Sequence, residues 1–345
     1  MSASLQPVTG DVTELVPLLR DWLEGDEPLW IRTSGSTGRP KDVVLSPRAV
    51  RASATATHER LGGAGQWLLA VPPTGVAGLQ VVVRSLLTGI DPVTSLDAYT
   101  ADRRYASLVP TQLHRLLEAG EAAPWAALDA VLVGGGPVRP SLVARAEEAG
   151  IHVVRTYGMS ETCGGCVYDG FPLDGVRVRI DDGQVMLAGD VLFDGYVGAP
   201  HTGEWFATND LGEITDGELR ILGRADDVVL SGGVNVPLPA VTSALQDLEG
   251  VHDALAVGVE DVEWGQRVVA LVVPADAVCL DGLAVDRLRD AVEEAGHPRT
   301  WAPRAVVLVD EIPMLPNGKP DRQRARTLIP LPERPLASEF PPHQE

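Results

Sequence analysis

Ala130-Val131-Leu132-Val133-Gly134-Gly135-Gly136-Pro137, together with Gly150-Ile151-His152-Val153-Val154 shortly after it, is the stretch whose reading decides the fold. Each apolar run is short, and apolar at nearly every position instead of alternating. That pattern predicts buried strands of a parallel sheet covered on both faces. Between the runs, Ser141–Ala149 reads as an amphipathic helix, and Gly150 supplies its C-terminal cap. Strand, helix, strand is a β-α-β unit. In such sheets ligands bind at the carboxyl ends of the strands. The Gly134–Pro137 loop and the segment beginning at Tyr157 both lie there, so two loops are aimed at one crevice.

Toward the C-terminus the pattern changes. After about residue 175 the runs become shorter and antiparallel-looking, at Val176–Ile180, Gln184–Leu187 and Glu218–Leu222. The polar Gly223-Arg224-Ala225-Asp226-Asp227 marks a boundary. Beyond it a smaller α+β unit is expected, with helices near Ala240–Leu248 and Leu283–Ala295 and strands at Ala254–Val259, Val268–Val273 and Ala305–Val309. From Ile329 the chain is proline-rich and polar, which reads as a disordered tail. The expected class is α/β. A large N-terminal domain (1–225) holds mainly parallel sheets under helices plus a small antiparallel sub-domain. A small α+β domain (226–328) and the tail (329–345) follow. No internal repeat is visible.

Toward the N-terminus lies Thr33-Ser34-Gly35-Ser36-Thr37-Gly38-Arg39-Pro40-Lys41. Glycines let backbone N–H groups approach a ligand, the hydroxyls add donors, and Arg39 and Lys41 bring countercharge, a composition suited to a polyphosphate. It is not a Walker A loop. Pro40 stands where the second glycine of that motif belongs, and Asp42 where its Ser/Thr belongs. Leu29-Trp30-Ile31 and Val43-Val44-Leu45 read as strands on either side, and a helix begins only at Pro47, with Ser46 as N-cap. An ordinary polar hairpin turn is the plainer alternative.

With 345 residues and 36.6 kDa the chain exceeds what one core fills. No apolar run reaches the ~18 residues of a membrane helix, and Met1–Pro7 has no signal-peptide pattern. A cytoplasmic location is therefore expected. A net charge of −20 argues against a nucleic-acid partner, which demands basic patches. Cys163-Gly164-Gly165-Cys166 has C-x-x-C spacing, but no second pair completes a zinc site. The two cysteines read as small loop-filling residues.

Taken together and in order, these loops resemble the acyl-adenylate-forming superfamily of acyl-CoA ligases, adenylation domains and luciferases, from about Trp30 to Arg326. Thr33–Lys41 resembles its phosphate loop, and Gly134-Gly135-Gly136-Pro137 the loop beside the adenine. Tyr157-Gly158-Met159-Ser160-Glu161-Thr162 is similar to its adenylate motif, and Trp205-Phe206-Ala207-Thr208-Asn209-Asp210 to W-F-x-T-G-D. Gly223–Asp226 resembles its hinge, and Pro316-Asn317-Gly318-Lys319 its final lysine motif. The resemblance implies a small mobile domain and a reaction in two steps, with ATP and CoA as co-substrates and Mg²⁺ as cofactor. Glu161 would hold magnesium, since that ion takes few protein carboxylates, and Thr162 would donate to the α-phosphate. Tyr157 would stack on adenine, Asp210 would accept from the ribose hydroxyls, and Arg224 would donate nearby. Lys319 would meet the charge developing at the α-phosphate. The small domain would turn about Asp226 and bring Ser231-Gly232-Gly233 to the pantetheine arm.

Tyr157–Gly170, Ser107–Leu113, Gly78–Ser85 and Ser231–Asn235 look closer to one branch of the superfamily, the o-succinylbenzoate–CoA ligases, particularly their short actinobacterial form. For the carboxylic acid substrate, Gly75, Arg84, Gln112, Ser160, Gly164 and Gly165 are candidates, because a second carboxylate wants a cation or fixed donors. A shortened N-terminal region leaves less scaffold, which a compact domain or a homodimer would offset. Three departures from the family pattern stand out: Asp42 and Asn209 replace glycines, and Gly75 replaces a histidine. They keep open a ligase for another aryl or medium-chain acid, and a non-catalytic nucleotide-binding relative.

Overall fold

Gln66–Leu68, Arg104–Leu108, Ala130–Val133 and Val153–Met159 lie side by side in parallel in the computed structural model of the chain, which describes residues 12–33, 41–275, 285–314 and 320–330. Val93 bridges Leu68 on the side away from Arg104–Leu108, also in parallel. Counting the bridge at Val93, the parallel segments therefore run second, first, third, fourth, fifth in chain order. The direction of connection reverses around the first, and Gly164–Tyr168 and Phe171–Pro172 extend the sheet antiparallel.

Right-handed crossovers then force the helices onto opposite faces. Val81, from the helix Val76–Leu86, packs with Trp67, Tyr105, Ala130, Leu132 and Val154. Leu113 and Leu116 of Pro110–Glu118, with Leu142 and Ala146 of Pro140–Glu148, pack with the alternate residues Ala106, Leu108, Val131, Val133 and Val153. The sheet is doubly covered, as the near-continuous apolar runs require. The switch in strand order falls between Gln66–Leu68 and Arg104–Leu108, which is where a ligand crevice is expected. Gln112 spans it, donating Nε2 to the Ala70 carbonyl at 2.7 Å while Oε1 accepts from the Val109 N–H at 2.9 Å.

Local signals held where they had a chemical basis. The helix Pro140–Glu148 ends with Gly150 at φ +83°, and the Ile151 N–H returns to the Ala146 carbonyl at 2.9 Å. Ser46 caps Pro47–Arg60, its side chain accepting from the Ala49 N–H at 3.4 Å.

Two further sheets complete the first unit, Met1–Leu222. Arg177–Asp181, Gln184–Ala188, Phe206–Thr215 and Glu218–Arg224 form an antiparallel meander. Phe206–Thr215 was not legible as a strand, because Thr208, Asn209 and Asp210 interrupt its alternation. Leu29–Thr33 and Lys41–Leu45 form a hairpin, extended by Gly195–Tyr196 and Ala199–Pro200. The residues 34–40 between the hairpin strands lie outside those described, as does the expected tail from 331 onward.

The second unit, Gly223–Glu345, is built on Val228–Ser231, Val234–Pro237, Val251–Asp261 and Gly265–Pro274, with Ala305–Leu308 parallel to the last. Leu238–Gln246 and Val285–Glu294 cover one face, and Arg322–Thr327 the other. Among the described residues no helix is long and apolar enough to cross a membrane.

Gly78, in the first turn of Val76–Leu86, has no room for a side chain. A Cβ there would collide with the Pro72 carbonyl oxygen and Pro73 Cα, which are backbone atoms that cannot rotate away. Gly78→Ala should lose about 1–3 kcal/mol in denaturant unfolding, the usual cost of overpacking, and an unchanged midpoint would contradict this packing.

Candidate active site

Strand Val153–Met159 ends in the turn Ser160–Thr162, and Cys163, at φ +51°, reverses the chain into Gly164–Tyr168. Side chains hold this turn. Thr162 is fully buried, and its hydroxyl accepts from the Met159 N–H at 2.9 Å while the Met159 and Gly164 carbonyls lie at 3.1 and 2.7 Å. In this geometry its single proton serves the turn rather than a ligand. Gln80 Nε2 and Ser53 Oγ both donate to the Cys163 carbonyl, at 2.7 and 3.2 Å. Burial pushes the Cys166 thiol up to about 12 and raises Cys163 as well, so both remain protonated packing groups.

The turn leaves Glu161 half-buried, with Oε1 accepting from Tyr196 Oη at 2.8 Å. Burial first, and then this bond, raises the tyrosine, so it donates throughout the physiological range. The Lys41 ammonium lies over the same ring, 4.9 Å from its centroid. Glu161 is thus a single hard carboxylate, and no group of three or more metal-type side chains gathers among the described residues. Such a donor set suits magnesium, which completes its shell with phosphate and water. It does not suit zinc.

Asp42 has a partner. It stands opposite Arg32 in the hairpin, and the guanidinium grips both carboxylate oxygens, at 2.8 and 3.0 Å. The hydrogen bond from Arg32 holds Asp42 below the usual carboxylate range. Asn209 does not take a positive φ, so its backbone conformation requires no glycine.

Beside the turn, Tyr157 Oη donates to Asp210 Oδ2 at 2.8 Å. Thr208 sets that aspartate, its hydroxyl accepting from the Asp210 N–H at 3.0 Å and donating to the Val185 carbonyl at 2.8 Å. The motif glycines differ in purpose. A Cβ at Gly134 would strike Thr156, and one at Gly158 the Gly164 carbonyl, so both serve strand packing. Gly135 takes φ +77°, and Gly136 opens onto space with Pro137 exposed beside it.

Among the residues expected to meet the acid, Arg84 is 3% exposed. It donates to Tyr168 Oη at 3.3 Å and stacks on Trp67 at 4.8 Å, and its Nε meets no acceptor. No carboxylate pairs with it among the described residues. Trp67 Nε1 donates to His58 Nε2 at 3.3 Å, and burial with the nearby Arg84 charge pushes that imidazole down to about 4. The cluster therefore holds one net cation. Gly75 caps the helix Val76–Leu86 with nothing within 4 Å of where a Cβ would stand, so a histidine there is replaced by open volume. Gly164 faces Gln80, Gly165 faces Thr156 and Tyr168, and Ser160 is half-buried. The amide of Gln112 is engaged at both ends by backbone, which makes it a strut of the crevice.

In the second unit, Asp226 sits exposed in the turn Ala225–Asp227, just after Arg224 ends its strand. Ser231 is buried, and Gly232 and Gly233 both take positive φ. A Cβ at Gly232 would strike the Trp264 ring. Lys319 and the residues Ser34–Gly38 lie outside the described residues. Tyr196, Arg32, Ser53 and Gln80 were missed from sequence, because their partners are distant in the chain and no spacing announces them.

The chain is similar to known proteins in sequence and in fold. A probable 2-succinylbenzoate–CoA ligase of Mycobacterium tuberculosis is 43% identical, over 87% of this chain and 84% of that one. The o-succinylbenzoate CoA synthetase of Bacillus subtilis, solved with the acyl-adenylate intermediate OSB-AMP, matches with a TM-score of 0.70 at 26% identity, over 86% of this chain and 68% of that one. The same synthetase solved with ATP and magnesium ion matches at 0.69 and 26% identity, over 86% and 69%. The AMP-binding enzyme C-terminal domain matches residues 240–319, and the AMP-binding enzyme family matches residues 20–214. Since that second match takes in more than half of its length, the chain belongs to the AMP-binding enzyme family.

Proposed function

We propose that the protein is an AMP-forming acid–thiol ligase that converts o-succinylbenzoate, ATP and CoA to o-succinylbenzoyl-CoA, AMP and pyrophosphate. The observation that carries the acid is Arg84, a buried guanidinium without a carboxylate partner, in a chain 43% identical to a probable ligase for that dicarboxylate. A buried cation left unpaired is costly, and a substrate carboxylate would satisfy it. ATP and CoA are cytoplasmic metabolites, and the enzyme would work there.

In the first half-reaction a carboxylate oxygen of the acid attacks the α-phosphorus. The bond to the β-phosphate oxygen breaks, and pyrophosphate leaves with the electron pair. Lys41 and the hydroxyls of Thr33–Thr37 would hold the departing group, and Lys319 would meet charge at the α-phosphate. Tyr157, Asp210, Arg224 and the Gly134–Pro137 loop would hold the nucleoside, with Gly136 offering open backbone to the base. Magnesium at Glu161 would offset the phosphate charge. Thr162 would set that carboxylate by fixing the turn. In the second half-reaction the CoA thiolate attacks the acyl carbonyl and AMP leaves. Turning at Asp226 would exchange Lys319 for Ser231-Gly232-Gly233, whose bare backbone suits a pantetheine arm.

The open volume at Gly75 supports a second reading, a ligase for another aryl or medium-chain acid. The non-catalytic reading loses its main support, since the Asp42 charge is already balanced by Arg32.

Pyrophosphate release over a panel of carboxylic acids should be strongest with o-succinylbenzoate. Strong release with fatty acids and none with o-succinylbenzoate would favour the second reading, and no release with any acid would sink both. Arg84→Gln should raise the KM for the acid about tenfold or more, the worth of a charge-assisted hydrogen bond, and leave the KM for ATP unchanged. Equal effects on both constants would dissociate Arg84 from the acid. Lys319→Ala should cripple adenylation yet spare CoA transfer from a supplied acyl-adenylate, and equal loss in both steps would contradict the domain exchange.

A further inference from the structure

We propose that Tyr196 is a positioning residue that keeps the site's anion and cation apart and available: its hydroxyl orients Glu161, and its ring holds Lys41 out of an ion pair with that carboxylate. The inference rests on the reading of Glu161 and Lys41 as the magnesium and phosphate contacts.

The geometry is specific. Tyr196 pairs with Val43 on the neighbouring strand, and Lys41 lies two residues from Val43 on the same face, so cation and ring are diagonal neighbours. The ammonium sits on the face of the ring, 4.9 Å from the centroid, while the hydroxyl at the edge reaches Glu161 Oε1 at 2.8 Å. Phe193 packs edge-on against the ring at 5.1 Å, and its N–H donates to the Glu161 carbonyl at 2.9 Å. One side chain therefore touches both charges, and its neighbour clamps both it and the Glu161 backbone.

The consequence is electrostatic. A flexible ammonium close to a half-buried carboxylate tends to close onto it, and such a pair must be opened before either group can meet a ligand. Here neither group forms an ion pair among the described residues. A ring face satisfies the ammonium weakly, which a phosphate readily replaces. The hydroxyl engages one carboxylate oxygen and leaves the other to a cation. The tyrosine thus prepares two opposite charges for two different partners.

Calorimetric titration of the full-length protein with ATP, in magnesium and in EDTA, tests this without turnover. Tyr196→Phe keeps the ring and removes the hydroxyl. It should cut the magnesium-dependent gain in ATP affinity about tenfold, the lower range for a hydrogen bond to a charged group, with ATP affinity in EDTA and Tm unchanged. Tyr196→Leu removes the ring as well and should also weaken ATP in EDTA, as Lys41 turns to Glu161. Equal losses with and without magnesium in Tyr196→Phe, or no loss, would overturn the orienting role. Unchanged affinity in EDTA for Tyr196→Leu would overturn the separating role. Glu161→Gln distinguishes the underlying reading. If it keeps the full magnesium-dependent gain, the metal assignment fails and Tyr196 with it. If it loses the gain while Tyr196→Phe keeps it, only the Tyr196 proposal fails.

Discussion

The reactive side of the first unit depends on one buried carbonyl. Cys163 reverses the chain in a left-handed conformation, which turns its oxygen into the core between the helices Pro47–Arg60 and Val76–Leu86. Among the described residues no backbone N–H donates to that oxygen, and an unsatisfied buried acceptor costs about 1–3 kcal/mol. Gln80 and Ser53 supply the donors, one from each helix. The same bonds lock both helices to the turn that presents Glu161. A relay extends from there: Arg84 donates to Tyr168, whose hydroxyl pairs with Thr57, which in turn donates to the Ser53 carbonyl. Arg84 and the turn that carries Glu161 are therefore tied into one buried polar network, in which each member fixes the next.

Charge balance in this acidic protein is local. The net charge of −20 says nothing about the crevice, where individual cations are managed one by one. Arg32 is committed to Asp42 across the hairpin. Lys41 rests on an aromatic face, and Arg84 is buried beside a histidine kept neutral by the same burial. One cation is committed to a carboxylate, while Lys41 and Arg84 pair with none among the described residues. The substitution of a glycine by Asp42, alarming on its own, becomes a matched pair once the strand register is known.

The architecture was legible because it rests on periodicity and on punctuation. Continuous apolar runs such as Ala130–Val133 announce a covered parallel strand, and Gly150 and Ser46 mark helix ends by their own chemistry. The motif residues were legible as a set, since Glu161, Asp210 and Arg224 occur in order with their glycines. What the sequence withheld was every partnership between distant segments. Nothing near Tyr196 hints that it meets Glu161, and nothing near Gln112 hints that its amide bridges two loops. The resemblance gives Thr162 a donor role toward the α-phosphate, while the engagement of its buried hydroxyl by the Met159 and Gly164 backbone has no signal in the sequence. Strand Phe206–Thr215 was hidden by the polar residues it carries inward.

The hairpin Leu29–Leu45 adds a consequence for how the chain is made. Its sheet is completed only by Gly195–Tyr196 and Ala199–Pro200, more than a hundred residues downstream. During synthesis the strand Lys41–Leu45 emerges early and waits with an open edge, a recognised hazard for wrong pairing. Contacts of such sequence separation form late and slowly. Tyr196 arrives in that same closing segment, so Lys41 and Glu161 gain their shared neighbour only when the sheet closes. A ribosome-bound fragment ending before it carries both charged groups without the neighbour that touches them both.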